Sequence, residues 1–318
     1  MNSPAGRHPV VTATFWMMGA LASFIAMAIG GRELAAARMS TFEILFFRSL
    51  VGLVMVSMLL ARSGWGQISA RRFGLHLVRN VSHFGGQFGW FYGISMIPLA
   101  EVFAIEFTTP MWTAIMAALL LGERVTRPRL LAIGLGIAGV LIILRPGLAV
   151  IHPAALAVLG AAACYALTFV LTRKLAHTES ALGILFYMTV IQLPLALFPA
   201  TAHWVTPPPA LWPWLLVIGT TGLSAHYCHT RALRLADATV MSPMDFLRLP
   251  LIAVAGLLLY GEALDWLVFA GAAVMVAGNL VTILAERARI RGICDRGHVL
   301  TSPAQRARRL PAAGRRRR

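Results

Sequence analysis

Apolar residues in this chain gather into runs of about twenty, separated by short polar breaks, and a helix of that length spans the hydrocarbon of a bilayer. Read against their breaks, the runs predict ten helices, at about 11–31, 41–61, 76–97, 99–121, 129–145, 153–173, 180–201, 211–234, 238–260 and 264–285. The expected fold class is an all-α polytopic membrane protein. The first run follows Arg7 as a signal peptide would, but the repeat described below makes it a retained helix.

Composition agrees with that pattern. The chain is 58% hydrophobic and 13% charged, against roughly 25% charged in soluble domains. The net charge of +16 points away from nucleic acid once located, because eleven of the 28 basic residues follow Glu286, in a tail ending "GRRRR". That segment, 287–318, is rich in Pro, Ala and Arg without apolar periodicity, so it reads as a disordered tail resting on anionic lipid head groups. No folded basic surface remains to read a nucleic acid. Cys164, Cys228 and Cys294 have no metal-ligand spacing, and no cofactor is implied. The partners expected are membrane lipids and a small molecule, with a homodimer left open.

Basic residues orient the bundle. With the N-terminus inside, the inner loops carry Arg62, Arg71, Arg72, Arg124, Arg127, Arg129, Arg173, Lys174, Arg231 and Arg234, and the outer loops only Arg32, Arg38 and Arg145. Cytoplasmic loops hold the excess of Lys and Arg, so both termini are placed in the cytoplasm.

An internal repeat divides the chain into 1–150 and 151–286. "LLLGE" at 119–123 returns as "LLYGE" at 258–262, and Gly139 returns as Gly278, both 139 residues on. "EILFF" at 43–47 matches "GILFY" at 183–187, and "GREL" at 31–34 matches "TRKL" at 172–175, at nearly that offset. Five spans per half is an odd number, so the second half is expected upside down, as in many secondary transporters.

The ten-helix layout and the "GE" box closing the fourth helix of each half resemble the EamA family of the drug/metabolite transporter superfamily. The resemblance covers roughly residues 10–286. The segment "ALRLADATVMSPMDFLRLPLIAVAGLLLYGE" is similar to a proteobacterial branch with S-adenosylmethionine carriers and metallophore exporters. The resemblance implies gradient-driven movement of a small polar, charged or zwitterionic metabolite across the bacterial inner membrane, through a cavity lined by helices 3, 4, 8 and 9. Smaller relatives suggest a lipid-linked substrate as the alternative.

Four charges stand out inside the spans: Arg48, Glu106, Asp245 and Arg248. Each costs roughly 2.5–3.5 kcal/mol near the bilayer centre on insertion scales. Glu106 maps onto Asp245 at the repeat offset. Asp245 has Arg248 at i+3 on the same helix face. Glu106 has no basic neighbour on its own helix, so Arg48, at similar depth, is its expected partner. Lone acids inside membranes serve as proton or substrate sites, which makes Glu106 the first candidate for coupling. Pro110 and Pro250, just beyond the acids, each remove a backbone donor, and such breaks are tolerated where they face a cavity or a neighbouring helix.

Asn80, His83 and Gln87 form one polar stripe on the third helix, and Thr220, Ser224, Tyr227 and Arg231 another on the eighth. Asn80, His83, Gln87, Thr109, Tyr165 and Tyr227 are the expected cavity-lining residues, with interhelical hydrogen bonding as the plainer reading of the stripes. Gly85, Gly89 and Gly93 make a doubled G-x-x-x-G for close helix approach. Glu123 and Glu262 read as helix-end features. No H-E-x-x-H or G-x-S-x-G is present, and nothing else points to an enzyme.

Overall fold

A computed structural model describes residues 8–122, 126–147, 150–235 and 244–300. They form eleven α-helices: α1 (His8–Ala36), α2 (Thr41–Ser63), α3 (Phe73–Met96), α4 (Leu99–Glu106), α5 (Thr109–Leu121), α6 (Arg127–Leu144), α7 (Pro153–Ala176), α8 (Ala181–Ala200), α9 (Trp212–Leu235), α10 (Arg248–Tyr260) and α11 (Trp266–Leu300). Seven stretches are long and apolar enough to cross a membrane, α4 and α5 counting as one. No more than 50% of any of them is buried within the protein. Outward-facing Phe15, Leu119, Phe198 and Leu258 make the kind of apolar surface that membranes cover. This is a multi-pass membrane protein.

Local signals set the helix ends. Ser40 and Glu43 form a reciprocal capping box at the start of α2, and Ser180 caps α8. These serines stand in the register of the "EILFF" and "GILFY" match, so the repeat extends to the caps. At the other ends of the fourth elements, α5 and α10 both stop on a left-handed glycine, Gly122 and Gly261, each with φ 66°.

The expected helix 99–121 is two helices, α4 and α5, separated by a turn at Phe107–Thr108. Pro110 has no N–H for the Glu106 carbonyl, and the Thr109 hydroxyl donates to that oxygen instead, at 2.7 Å. Phe246–Leu247 makes the matching turn before α10. There the Arg248 Nε donates to the Asp245 carbonyl at 3.3 Å, so Arg248 stands where the first half has Thr109. Residues 236–243 of the expected ninth helix lie outside the described residues, as do Glu123 and Arg124. The last helix also departs from expectation, running on to Leu300 where the sequence pattern ended the ordered chain at 286. Arg is a good helix former, and no Pro occurs between Trp266 and Leu300.

α1 packs along α9 and α3 along α7; α2 packs along α8, α6 along α11, and α4 against α10. Exchanging the two halves leaves this set of pairs unchanged. α4 sits at the centre, with Leu99, Val102, Phe103, Ala104 and Ile105 all fully buried. The glycine run of α3 faces α7: a Cβ on Gly89 would lie 2.4 Å from the Ala157 carbonyl oxygen, and one on Gly93 2.2 Å from a Val158 methyl. That is the close approach the G-x-x-x-G spacing predicts.

At the end of the bundle where α1 finishes, Arg32 Nη2 lies 2.9 Å from Glu262 Oε1 and donates to the Ile97 carbonyl at 2.7 Å. Glu262 also accepts from the Leu99 N–H at 2.8 Å, Tyr260 donates to Glu33 at 2.8 Å, and Arg145 pairs with Asp265. Glu262→Ala would take the counter-charge from Arg32 and the acceptor from the Leu99 N–H. It should lower stability by about 1–3 kcal/mol, read from thermal unfolding in detergent. An unchanged melting midpoint would remove Glu262 from the set of fold-stabilising contacts.

Candidate functional site

The broken helices carry the charges. Glu106 ends α4, Arg248 opens α10, and Asp245 lies just before the second turn. Arg248 Nη1 lies 3.4 Å from Glu106 Oε1, and its Nη2 lies 3.0 Å from Asp245 Oδ2. One guanidinium therefore holds the two repeat-related acids. The i+3 pair is present as expected, but the partner of Glu106 is Arg248 and not Arg48. Spacing along single helices could not reveal this, because the pair forms across the junction of the halves.

The surroundings keep the cluster dry on one side and polar on the other. The Arg248 side chain is 7% exposed, and its guanidinium carbon stacks 4.7 Å from the Phe24 ring, 5.5 Å from Phe107 and 5.8 Å from Phe103. Such cation–π contacts gain strength when desolvated. Trp90 Nε1 donates to Glu106 Oε2 at 2.8 Å, while Asp245 Oδ1 is buried without a hydrogen-bond partner among the described residues. Phe107 and Phe246, themselves 139 residues apart, meet edge to face at 4.9 Å. Contact between equivalent residues puts the cluster where the two halves face each other. Its formal charge is −1, one guanidinium against two carboxylates.

A second polar group lies between α3, α7 and α8, with the His226 ring of α9 6.4 Å from that of His83. His83 Nδ1 is 2.9 Å from Gln192 Nε2 and 3.2 Å from Gln87 Nε2. Gln192 also reaches the Asn80 carbonyl at 3.3 Å, and Arg79 donates to Asn80 Oδ1 at 2.6 Å and to Thr172 at 3.1 Å. Asn80, His83, Gln87 and Thr109 are all buried. Tyr165 is half-buried, its ring 5.8 Å from that of His83. Tyr227 departs from expectation: it is 58% exposed and packs edge-on against Trp16, away from these groups. The rest of its stripe is spent on packing, with Ser224 bonded to Ser23 across α1 and α9 and Arg231 stacked on Trp16. Arg48 is buried and has no carboxylate partner among the described residues.

Trp90, Arg79, Gln192 and His226 were not singled out in the sequence. Gln192 gave a signal, as a lone amide in an apolar run. Arg79 sits four residues into its expected span and resembles an interfacial residue, yet it is 7% exposed. Among the described residues no cluster of three or more His, Cys, Asp or Glu could hold a metal ion.

Apolar helices in two repeated halves, with a buried ionic cluster where the halves meet, define a membrane carrier. The chain belongs to the EamA-like transporter family, which matches it twice, at residues 11–145 and 152–284. The chain is 26% identical over 250 residues to the S-adenosylmethionine uptake transporter of Rickettsia prowazekii (strain Madrid E), covering 79% of this chain and 85% of the relative. It is 32% identical over 243 residues to the riboflavin transporter of Brucella anthropi, covering 74% and 86%. A solved crystal structure at 17% identity shares the fold, with a TM-score of 0.61 over 87% of this chain and 97% of its own. The family and these relatives are transporters, not enzymes.

Proposed function

We propose that the protein is a secondary active transporter for a small charged or zwitterionic metabolite, and that the Glu106–Arg248–Asp245 cluster is its substrate and coupling site. Both charge signs meet at one place on the junction of the halves, and this observation carries the reading. A substrate such as S-adenosylmethionine could set a cationic group against the cluster's excess carboxylate and so balance a charge that Arg248 alone leaves uncompensated. In this reading the halves are inverted repeats within a ten-span bundle, which the exchange-invariant helix pairing supports. Both termini lie in the cytoplasm of a bacterial inner membrane. The segment beyond Glu286 rests on anionic lipid there.

The test is uptake by proteoliposomes of the full-length protein, offered labelled S-adenosylmethionine and, separately, riboflavin, with and without a pH gradient. Gradient-stimulated movement of the charged substrate is expected, and failure to move any small metabolite would sink the proposal. Glu106→Gln refines the test. Arg248 keeps Asp245 in this variant, so it should fold. It should also lose stimulation by the pH gradient while retaining substrate exchange, because a permanent amide cannot release a proton. Full gradient stimulation in Glu106→Gln would remove Glu106 from the coupling step.

A further inference from the structure

Resting on that reading, we propose that Arg48 is the site where the carrier binds the carboxylate of its substrate, apart from the Glu106–Arg248–Asp245 cluster. Arg48 is 6% exposed, makes no ion pair or hydrogen bond among the described residues, and has its Nε buried without a partner. An unpaired buried guanidinium is among the most costly groups a helical bundle can hold. All four intramembrane charges faced that cost in the sequence, but Arg248, Glu106 and Asp245 pair with one another. Arg79 is also buried without a carboxylate but hydrogen-bonds Asn80 and Thr172, whereas Arg48 has neither an ion pair nor a hydrogen bond among the described residues.

The surroundings are built to admit one. The guanidinium lies against α9 at Gly222, where a Cβ would fall 2.8 Å from Nη2, so the absence of a side chain there makes its room. Arg48 borders a small pocket with Ser49, Thr189, Gln192 and Gly219. Gln192 ties the pocket to His83, and on the same stripe Asn80 Nδ2 and Gln87 Oε1 are further buried atoms without partners among the described residues. Buried polar groups are rarely left orphaned, and here three lie in one neighbourhood. A guanidinium fork matches a carboxylate with two parallel hydrogen bonds. His226 links the two places, its ring 6.4 Å from that of His83 and 5.9 Å from that of Phe24, on which Arg248 stacks. A substrate with a carboxylate at Arg48 could therefore direct its cationic group towards the net-negative cluster.

Thermal unfolding of the purified full-length protein tests this, using S-adenosylmethionine and the standard amino acids beside their decarboxylated or amidated counterparts, and riboflavin. Without ligand, Arg48→Met should melt higher than the wild type, since it removes an unpaired buried charge; a lower midpoint would make Arg48 structural and overturn the proposal. The best acid ligand should bind Arg48→Met about 100-fold more weakly than the wild type. Its carboxylate-free counterpart should bind both proteins with one weak affinity. Arg48→Lys keeps the charge without the fork and should retain part of the acid preference. Equal binding of acid and counterpart by the wild type, or no response to any acid, overturns the carboxylate site. The carboxylate-free cations separate the two readings: binding of such a cation as tight as that of its acid leaves the charged-metabolite carrier standing without this site, and wild-type proteoliposomes that move neither class end both.

Discussion

Arg248→Met should unfold the protein at temperatures the wild type tolerates, with a loss of about 3–5 kcal/mol. The substitution leaves Glu106 and Asp245 facing each other without the cation that lies 3.4 and 3.0 Å from them. It also removes the cation that stacks on Phe24, Phe103 and Phe107. Adding Glu106→Gln and Asp245→Asn removes both orphaned charges and should restore most of the stability, because replacing a whole buried ionic group can be close to neutral. The melting midpoints of the single and triple variants, followed by scanning fluorimetry in detergent, decide the matter. A stable single variant would mean that the acids are held by other groups; a triple variant as unstable as the single would mean that packing, not charge, is what Arg248 provides. Arg48→Met cannot substitute in this rescue, since Arg48 touches neither acid.

The second large effect concerns α3 and α7. Gly89→Ala should be far more damaging than Gly85→Ala, although both change one hydrogen to a methyl on the same helix face. The new methyl at 89 would lie 2.4 Å from a backbone oxygen, Ala157, which cannot step aside without moving α7. At 85 it would lie 3.5 Å from the Cys164 sulfur, an ordinary contact. Overpacking costs typically 1–3 kcal/mol and sometimes more, so Gly89→Ala should lie at or above the top of that range and Gly85→Ala near zero. Gly93→Ala should fall between, because the obstacle at 2.2 Å is a Val158 methyl that can change rotamer. Equal midpoints for the three variants would show that α3 and α7 do not pack at this distance.

Much of the bundle is legible along the chain because bilayers impose a simple length rule, and the repeat is legible because it preserves register. Ser40 with Ser180 and Gly122 with Gly261 are helix signals that recur with their elements. The partner of Glu106 was not legible. Intrahelical spacing finds Asp245 and Arg248 together, which leaves Arg48 as the unclaimed cation for Glu106 until α4 and α10 are brought face to face. Depth along a helix axis constrains one coordinate only, and the direction around the axis decided between two arginines. Tyr227 failed for the same reason: its stripe is real, but the stripe turns towards Trp16. The break after Glu106 was signalled by Pro110, yet its position depended on Thr109 supplying the missing donor, a detail of side-chain reach that no periodicity encodes.

The contacts joining Arg32 to Glu262, Tyr260 to Glu33 and Arg145 to Asp265 all lie at one end of the bundle. A carrier that serves both faces of a membrane must break them whenever it opens at that end. Their combined strength thus sets how rarely the opposite access state is visited. For a ligand arriving from that side, apparent affinity is the intrinsic affinity reduced by the fraction of molecules that are open, and each 1.4 kcal/mol of closure lowers it tenfold. Three contacts at one end of the bundle therefore act on the measured affinity from one face of the membrane and leave the other untouched.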